Sequence, residues 1–329
     1  NYSNIFFNSK GELVYKVLNN PHKGLVYYTG RSYGYSLNNK RYNNGALKKI
    51  STNGYSRMYW NDVVTGIDEN GNIQVDWRLV DNAIKSAVEN NVKMNFRAFA
   101  TYGPYVKQYT NGKFTDSCTL NTTDNQSYYT CNTANDTETY VVPESIVNYC
   151  NSKTTEKYPN PASNKPEQLS CGNLVEYYSW NDGKFYKQWI PNYKNEIFSD
   201  LSTQLIKKFT EHLSTTTLEQ LGFSGNSKVL GDYVEFVDVG TYGIYGEQHL
   251  GFGYNYMNNT AIKNYRKQNN TNPTSDEIKS FSQKSNLSDL KEYTLTGGEL
   301  YNNYIIPFET AFSTYNNLDH IIIYNSYVN

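Results

Sequence analysis

The segment Val234–Leu250, VEFVDVGTYGIYGEQHL, contains the residue types and spacing best suited to acid–base chemistry. Alternating apolar residues give way to a turn with three glycines, which Glu247 and His249 follow. Glycines permit left-handed or closely approaching backbone that a side chain would obstruct. A carboxylate on such a turn, at the end of a strand, is typical of the rim of a barrel enzyme. The alternative is that Glu247 only caps the next segment and that the glycines only make a turn.

Glu247 is the candidate general acid/base of a glycosidase. Hydrolysis of a glycosidic bond needs a carboxylic acid to protonate the leaving oxygen and a second carboxylate, about 5–5.5 Å away in retaining enzymes. His249 could hydrogen-bond Glu247 or bind a sugar hydroxyl, although a lone histidine is more often a polar rim residue. Aromatic rings that could stack on sugars, or simply pack, are those of Trp60, Tyr102, Tyr242 and Tyr245.

Strand alternation places Arg97 and Asp238 on one inner face. In KMNFRAFATY and VEFVDV they alternate with apolar residues that would face the outer helices. Two buried opposite charges on adjacent strands should pair, because a lone buried charge is costly. We therefore expect these two residues to support the rim rather than react.

Hydrophobic patterns predict the elements that position these side chains. Strands are predicted at Leu25–Tyr28, Arg57–Val63 and Lys93–Tyr102, within Val234–Leu250, and at His320–Val328. Helices are predicted at 77–88, with Asp76 as N-cap and an end at Asn90–Asn91, at 197–213, and around 300–308 despite Pro307. The strand, helix and strand between residues 57 and 102 form a βαβ unit, which indicates an α/β fold.

Residues 103–173 interrupt this alternation and are predicted to be an insertion after the third strand. The segment is polar and holds all four cysteines, whose spacing does not resemble a zinc site. Three disulfide pairings are open, and the simplest is Cys118–Cys131 with Cys150–Cys171. Glycosylation acceptors, some of which an Asn-rich chain produces by chance, occur at Asn1, Asn121, Asn125, Asn135, Asn258, Asn269 and Asn286. Disulfides and acceptors together favour an extracellular protein.

Composition excludes some classes of protein and leaves others open. A net charge of −1 and a pI near 6.5 give no basic field for nucleic acid. No apolar run approaches the about 20 residues of a membrane span, and a first residue of Asn suggests a processed, exported chain. The 33 Tyr and 14 Phe could serve sugar binding or reflect codon bias. No motif calls for a cofactor or metal.

The order of four motifs resembles a family of predicted TIM-barrel glycoside hydrolases. NPHKG, KMNFRAFATY, WIPNY and VDVGTYGIYGEQH follow one another between Asn20 and Leu250, with a weaker match at the fifth strand. The resemblance implies one (β/α)8 barrel domain over residues 1–329, with the insertion 103–173 within it, and Glu247 as acid/base. In the related retaining barrel glycosidases the nucleophile lies on the seventh strand. No seventh strand is found here, so the barrel is expected to be incomplete at the C-terminus unless residues 1–40 or the insertions provide further strands.

Two functions remain open from the sequence. The first is a secreted glycoside hydrolase acting on a polysaccharide or glycoconjugate. The second is a non-catalytic extracellular glycoprotein that keeps the barrel for structure or glycan binding and could self-assemble. The missing second carboxylate motivates the second hypothesis, and carbohydrate is the expected partner in the first.

Overall fold

The computed structural model describes residues 5–7, 13–15, 25–30, 34–43, 51–101, 107–110, 113–116, 118–123, 126–131, 138–140, 142–153, 155–159, 166–169, 171–179, 184–243, 246–247, 254–256 and 295–324. Its strands are β1 (Ile5–Phe7), β2 (Leu13–Tyr15), β3 (Leu25–Tyr28), β4 (Ser51–Tyr59), β5 (Val64–Ile67), β6 (Ile73–Val75), β7 (Lys93–Ala100), β8 (Lys107–Thr110), β9 (Lys113–Asp116), β10 (Cys118–Thr123), β11 (Gln126–Cys131), β12 (Glu138–Tyr140), β13 (Thr155–Pro159), β14 (Pro166–Leu169), β15 (Gly172–Ser179), β16 (Lys184–Pro191), β17 (Phe236–Val239), β18 (Tyr254–Tyr256) and β19 (Ile322–Tyr324). Its α-helices are α1 (Lys40–Asn43), α2 (Trp60–Val63), α3 (Arg78–Glu89), α4 (Glu144–Ser152), α5 (Glu196–Thr215), α6 (Gly297–Leu300) and α7 (Ile306–Ser313).

Five strands form a parallel sheet in the order β19-β17-β7-β4-β3. Their spatial order follows their order along the chain. Helix α3 lies in sequence between the neighbouring parallel strands β4 and β7 and packs against β7, so the predicted βαβ unit is confirmed. The chain therefore has a mixed α/β fold with a parallel sheet at its centre.

Helices α3, α5 and α7 pack together against one face of this sheet. Phe209 of α5 is fully buried, and its ring lies 5.9 Å from that of Phe96 and 5.1 Å from that of Phe99, both on β7. The rings of Trp77 and Phe312 lie 5.7 Å and 6.4 Å from it and link α3 and α7 to the same cluster. Burying a side chain of this size stabilises the fold by roughly 1.5–3 kcal/mol.

The second strand of the sheet has different bounds from those predicted. β4 begins at Ser51, and Trp60–Val63 form the short helix α2 rather than the end of a strand. The polar start of β4 carries little strand signal, but it pairs with β3 and β7, so tertiary pairing overrides local propensity. Asp62 Oδ2 accepts a hydrogen bond of 2.9 Å from the backbone N–H of Tyr59, which caps α2 and ends the strand.

Other predicted elements differ only at their ends. β7 stops at Ala100, and the described part of the fifth strand is Ile322–Tyr324. The helix around residue 300 runs through a π-helical turn, Tyr301–Ile305, immediately before α7. That turn precedes Pro307, whose ring and missing N–H do not fit an ordinary α-helical turn.

A second sheet combines strands of the cysteine-containing region with strands that follow it in the chain. Its order is β18-β15-β16-β12-β8-β9, so its strands extend beyond residue 173, the predicted end of the insertion. Cys150 of α4 and Cys171 form the predicted disulfide, with a Cα–Cα distance of 5.2 Å. Cys118 lies opposite Cys131 in the β10–β11 hairpin, and their pairing stays a prediction. Of the predicted glycosylation sites, Asn121 lies on β10; Asn1, Asn125, Asn135, Asn258, Asn269 and Asn286 lie outside the described residues.

Candidate functional site

Three charged side chains form a row across the middle of the parallel sheet. Arg57 of β4 lies opposite Arg97 of β7, and Arg97 lies opposite Asp238 of β17. Because successive residues of a strand face opposite ways, Arg97 points away from the face on which Phe96 meets the helices. Strand alternation therefore collects charge on the face of the sheet opposite the helices.

Arg97 and Asp238 form the ion pair that the alternation predicts. Arg97 Nε donates to Asp238 Oδ2 at 2.6 Å, and their side chains are only 9% and 3% exposed. Burial opposes the charge of Arg97, but Asp238 and then Tyr55 outweigh it, and the pKa of the guanidinium is raised. Burial also raises the pKa of Tyr55, whose protonated hydroxyl donates to Asp238 Oδ2 at 3.2 Å.

The glycines after β17 turn the chain back onto the end of the strand. Gly243 and Gly246 have positive φ angles of 89° and 69°. A Cβ on Gly246 would lie 2.3 Å from the carbonyl oxygen of Gly240, and one on Gly240 would lie 2.4 Å from Cγ of Arg97. The predicted need for left-handed and closely approaching backbone is confirmed. This packing brings Glu247 next to the row of charges.

Glu247 is held by both arginines of the row. Its Oε1 lies 2.9 Å from Arg57 Nη2 and 3.3 Å from Arg97 Nη1. The side chains of Arg57 and Glu247 are 30% and 33% exposed, so solvent reaches this end of the network while the Arg97–Asp238 end is buried. From the core outwards, the charged groups thus follow one another in the order Asp238, Arg97, Glu247 and Arg57, with negative and positive charges alternating.

Aromatic rings lie beside the charged row. The ring of Tyr55 is 6.3 Å from that of Tyr28 and 6.0 Å from that of Phe236. Cζ of Arg57 lies 5.9 Å from the centroid of the Tyr28 ring, within cation–π range. Tyr28 and Tyr324 are 50% and 53% exposed. Tyr324 belongs to β19 and lies opposite Asp238 of β17. Polar and aromatic surfaces therefore meet where solvent has access.

The predicted stacking residues that the structure describes lie in the core. Trp60 is fully buried and stacks on Phe198 with ring centroids 5.2 Å apart. Tyr242 is also buried, and its hydroxyl accepts a hydrogen bond of 3.1 Å from the backbone N–H of Leu295. Both are packing residues, the alternative role weighed for them. Tyr102, Tyr245 and His249 lie outside the described residues.

Sequence reasoning missed Arg57, Tyr55 and Tyr28 as members of the site. The second strand was predicted to begin at Arg57, so the residues before Arg57 were not assigned to a strand and could not be assigned to one of its faces. Once β4 begins at Ser51, Tyr55 and Arg57 fall on one face, two residues apart. One signal in the sequence could have found them. Tyr55 and Arg57 alternate with Ser56, and the strand predicted next in the chain, Lys93–Tyr102, is strongly β-prone and could pair with them.

Comparison with known proteins adds no family to this geometry. No protein-family model matches the chain, and no curated protein is similar to it in sequence. Across the described ranges, helices of the length and apolarity needed to cross a membrane are absent. Groups of three or more His, Cys, Asp or Glu residues placed to hold a metal ion are likewise not found within the part of the chain that the structure describes.

Proposed function

We propose that this chain is a secreted glycoside hydrolase-like protein that acts on a polysaccharide or glycoconjugate, with Glu247 as general acid/base. The observation that carries the proposal is the position of Glu247. It follows the carboxyl end of a parallel strand, solvent reaches it, and Arg57 and Arg97 fix its carboxylate. Active sites of α/β barrels lie at this end of the strands. The exposed rings of Tyr28 and Tyr324 would offer stacking surfaces for sugars.

The strand order supports a (β/α)8-type barrel as the finer fold. In a doubly wound sheet the strand order reverses at a switch point, and helices cover both faces. The order of these five strands does not reverse, and α3, α5 and α7 lie on one face. The polar face would then be the barrel interior, and the inserted region would follow β7 on the active side.

Arg97 contacts the carboxylates of both Asp238 and Glu247. Because one guanidinium contacts both carboxylates, Asp238 Oδ2 and Glu247 Oε1 lie within about 8 Å of each other. Glycosidases hold their two carboxyl groups at about 5–9.5 Å. Asp238 is buried, which suits it to orient Arg97 and leaves the partner that attacks the sugar or activates water to be found by mutagenesis.

A non-catalytic glycan-binding protein is the second candidate, and one observation favours it. Glu247 Oε1 contacts two guanidinium groups. A protonated carboxyl cannot keep these ion pairs, so Glu247 must leave them before it can act as an acid. A binding protein needs no such step, and in that case the chain could also assemble with copies of itself. For either candidate, the Cys150–Cys171 disulfide supports an oxidising, extracellular setting.

The hydrolase is tested by following the release of reducing ends from a panel of neutral and acidic polysaccharides. Glu247→Gln should reduce turnover by at least about 100-fold, the lower range for losing a general acid. The control is Glu235→Gln. Glu235 precedes the same strand at its opposite end and accepts a hydrogen bond from Asn53 Nδ2 at 2.8 Å.

Two results would contradict the hydrolase. Turnover that persists in Glu247→Gln would remove Glu247 from its role. Glycan binding by the wild-type protein without release of reducing ends on any polysaccharide would favour the binding protein. Loss of turnover in Glu235→Gln as well would point to a folding effect, which circular dichroism of both variants would reveal.

A further inference from the structure

Two guanidinium groups stand side by side where the buried part of the charged row meets its solvent-accessible end. Arg57 and Arg97 occupy directly opposed positions on neighbouring strands. Like charges in such positions destabilise a sheet. Both groups direct an Nη atom at a single oxygen, Oε1 of Glu247. Of the anions bound to Arg57 and Arg97, only Asp238 belongs to the sheet. The two arginines therefore hold a second anion, which comes from outside the sheet.

The two anions of the network differ in how firmly they are held. Asp238 is a strand residue, 3% exposed, and bound to Arg97 Nε at 2.6 Å. Glu247 comes from the glycine turn, and its contact with Arg57 is open to solvent on both sides, at 30% and 33% exposure. Partly exposed ion pairs such as Arg57–Glu247 contribute little to stability, so Glu247 is the one of the two anions that another carboxylate can more easily replace.

We infer that Arg57 and Arg97 bind the carboxylate of an acidic sugar, a uronic acid, and that Glu247 occupies this position when no substrate is bound. This inference rests on the proposed action on carbohydrate. The planar guanidinium matches a carboxylate in shape and hydrogen-bonding geometry. The exposed ring of Tyr28, in contact with Arg57, offers a surface for the sugar ring.

Binding of an acidic sugar at this position would reconcile the two roles of Glu247, as an ion-paired carboxylate and as an acid. A substrate carboxylate on Arg57 and Arg97 supplies the negative charge that these residues require. Glu247 is then released from both guanidinium groups. Acidic sugars would thereby both occupy the site and prepare the acid, whereas neutral sugars would leave Glu247 on the arginines.

Calorimetric titrations test the inference. They measure the affinity of the protein for glucuronate and for galacturonate, each compared with its methyl ester and with glucose. The wild-type protein should prefer the acids, and added salt should weaken that preference. Arg57→Gln should lower affinity for the acids about tenfold or more, the effect of losing a hydrogen bond between charged groups. Arg78→Gln is the matched control, because Arg78 is an exposed arginine on α3 that pairs with Asp76.

Glu247→Gln gives the distinguishing result. Removing the internal carboxylate should raise affinity for the acids by about two- to fivefold, the range for an exposed ion pair. A residue that served only catalysis would leave the preference unchanged. Competition with inorganic sulfate and with acetate distinguishes a site for any anion from a site for a carboxylate. Sulfate should displace the acidic sugars more weakly than acetate does.

Equal affinity for acids and methyl esters, stronger displacement by sulfate, or unchanged preference in Glu247→Gln would overturn the inference. Hydrolysis of neutral polysaccharides that depends on Glu247, without any preference for acids, would overturn it while leaving the proposed hydrolase intact. Selective binding of acids without hydrolysis would do the reverse. Absence of any binding to acidic or neutral sugars would overturn both.

Discussion

Arg97 keeps a buried carboxylate paired at the centre of the sheet. Removing one partner of a buried ion pair costs about 3–5 kcal/mol because the other charge stays buried. Arg97→Met should therefore lower the free energy of unfolding by about that amount, measured by urea denaturation. The double variant Arg97→Met/Asp238→Leu should lose clearly less than the two single variants together, since two apolar side chains can replace such a pair.

Additive losses in that double-mutant cycle would show that the two charges act independently.

The sequence predicted this pair correctly, since alternation in two apolar strands leaves Arg97 and Asp238 on one face. It could not predict the Arg57 contact, because that depends on where β4 begins and on how the glycine turn folds back. Gly246 against Gly240 is a contact between backbone atoms, and only the residue type, not the approach, is visible in sequence.

At the scale of elements, the start of helix α3 is bound by an acid-sensitive carboxylate, that of Asp76. Asp76 Oδ1 accepts a hydrogen bond of 3.0 Å from the backbone N–H of Arg78, although Trp77 rather than Asp76 takes the N-cap position. Hydrogen bonding from the Arg78 side chain, and more weakly from its backbone, holds the pKa of Asp76 below its ordinary value. Because the native pKa is depressed, Asp76 stabilises the fold fully above its unfolded pKa of about 3.9 and loses this contribution as the pH falls further, through its lower native pKa.

Asp76→Ala should cost about 1 kcal/mol of unfolding free energy at pH 7, the usual value for losing a helix-capping side chain. The difference from wild type should shrink as the pH falls below about 4, since the protonated wild-type carboxyl loses its advantage. Urea unfolding at a series of pH values measures both effects. Asp76→Asn is the matched control, because asparagine also caps helices and should keep most of the stability at neutral pH. A deficit in Asp76→Ala that does not change with pH would contradict this account.

The elements that sequence patterns predicted well are those with a long apolar periodicity. Helix α5 falls where buried side chains recur at helical spacing, and β7 falls where apolar residues alternate along a strand that is buried at every position after the first. The start of β4 and the strands of the second sheet are short or polar, so only their partners define them. β12, for example, has three residues and lies between β8 and β16, which come from either side of it in the chain.

For the whole molecule, the disulfide links helix α4 to the residue that precedes β15, a strand of the second sheet. Cys150 and Cys171 are both buried, and the backbone carbonyl of Cys171 accepts a hydrogen bond of 2.9 Å from the N–H of Asn192, just before α5. The bridge therefore connects the inserted region to the point where the chain returns to the helices of the parallel sheet. Closing a loop with a separation of 21 residues restricts the unfolded chain.

Replacing both cysteines, Cys150→Ala/Cys171→Ala, should reduce the free energy of unfolding by about 3 kcal/mol, the value for a loop of similar length. Urea unfolding of this variant is compared with that of wild type with and without dithiothreitol. If this bridge alone stabilises the fold, the reductant should not change the variant further. An additional loss on reduction would instead support a second bridge between Cys118 and Cys131, which the β10–β11 register places opposite each other. Equal stability of the variant and oxidised wild type would show that the bridge does not stabilise the native fold.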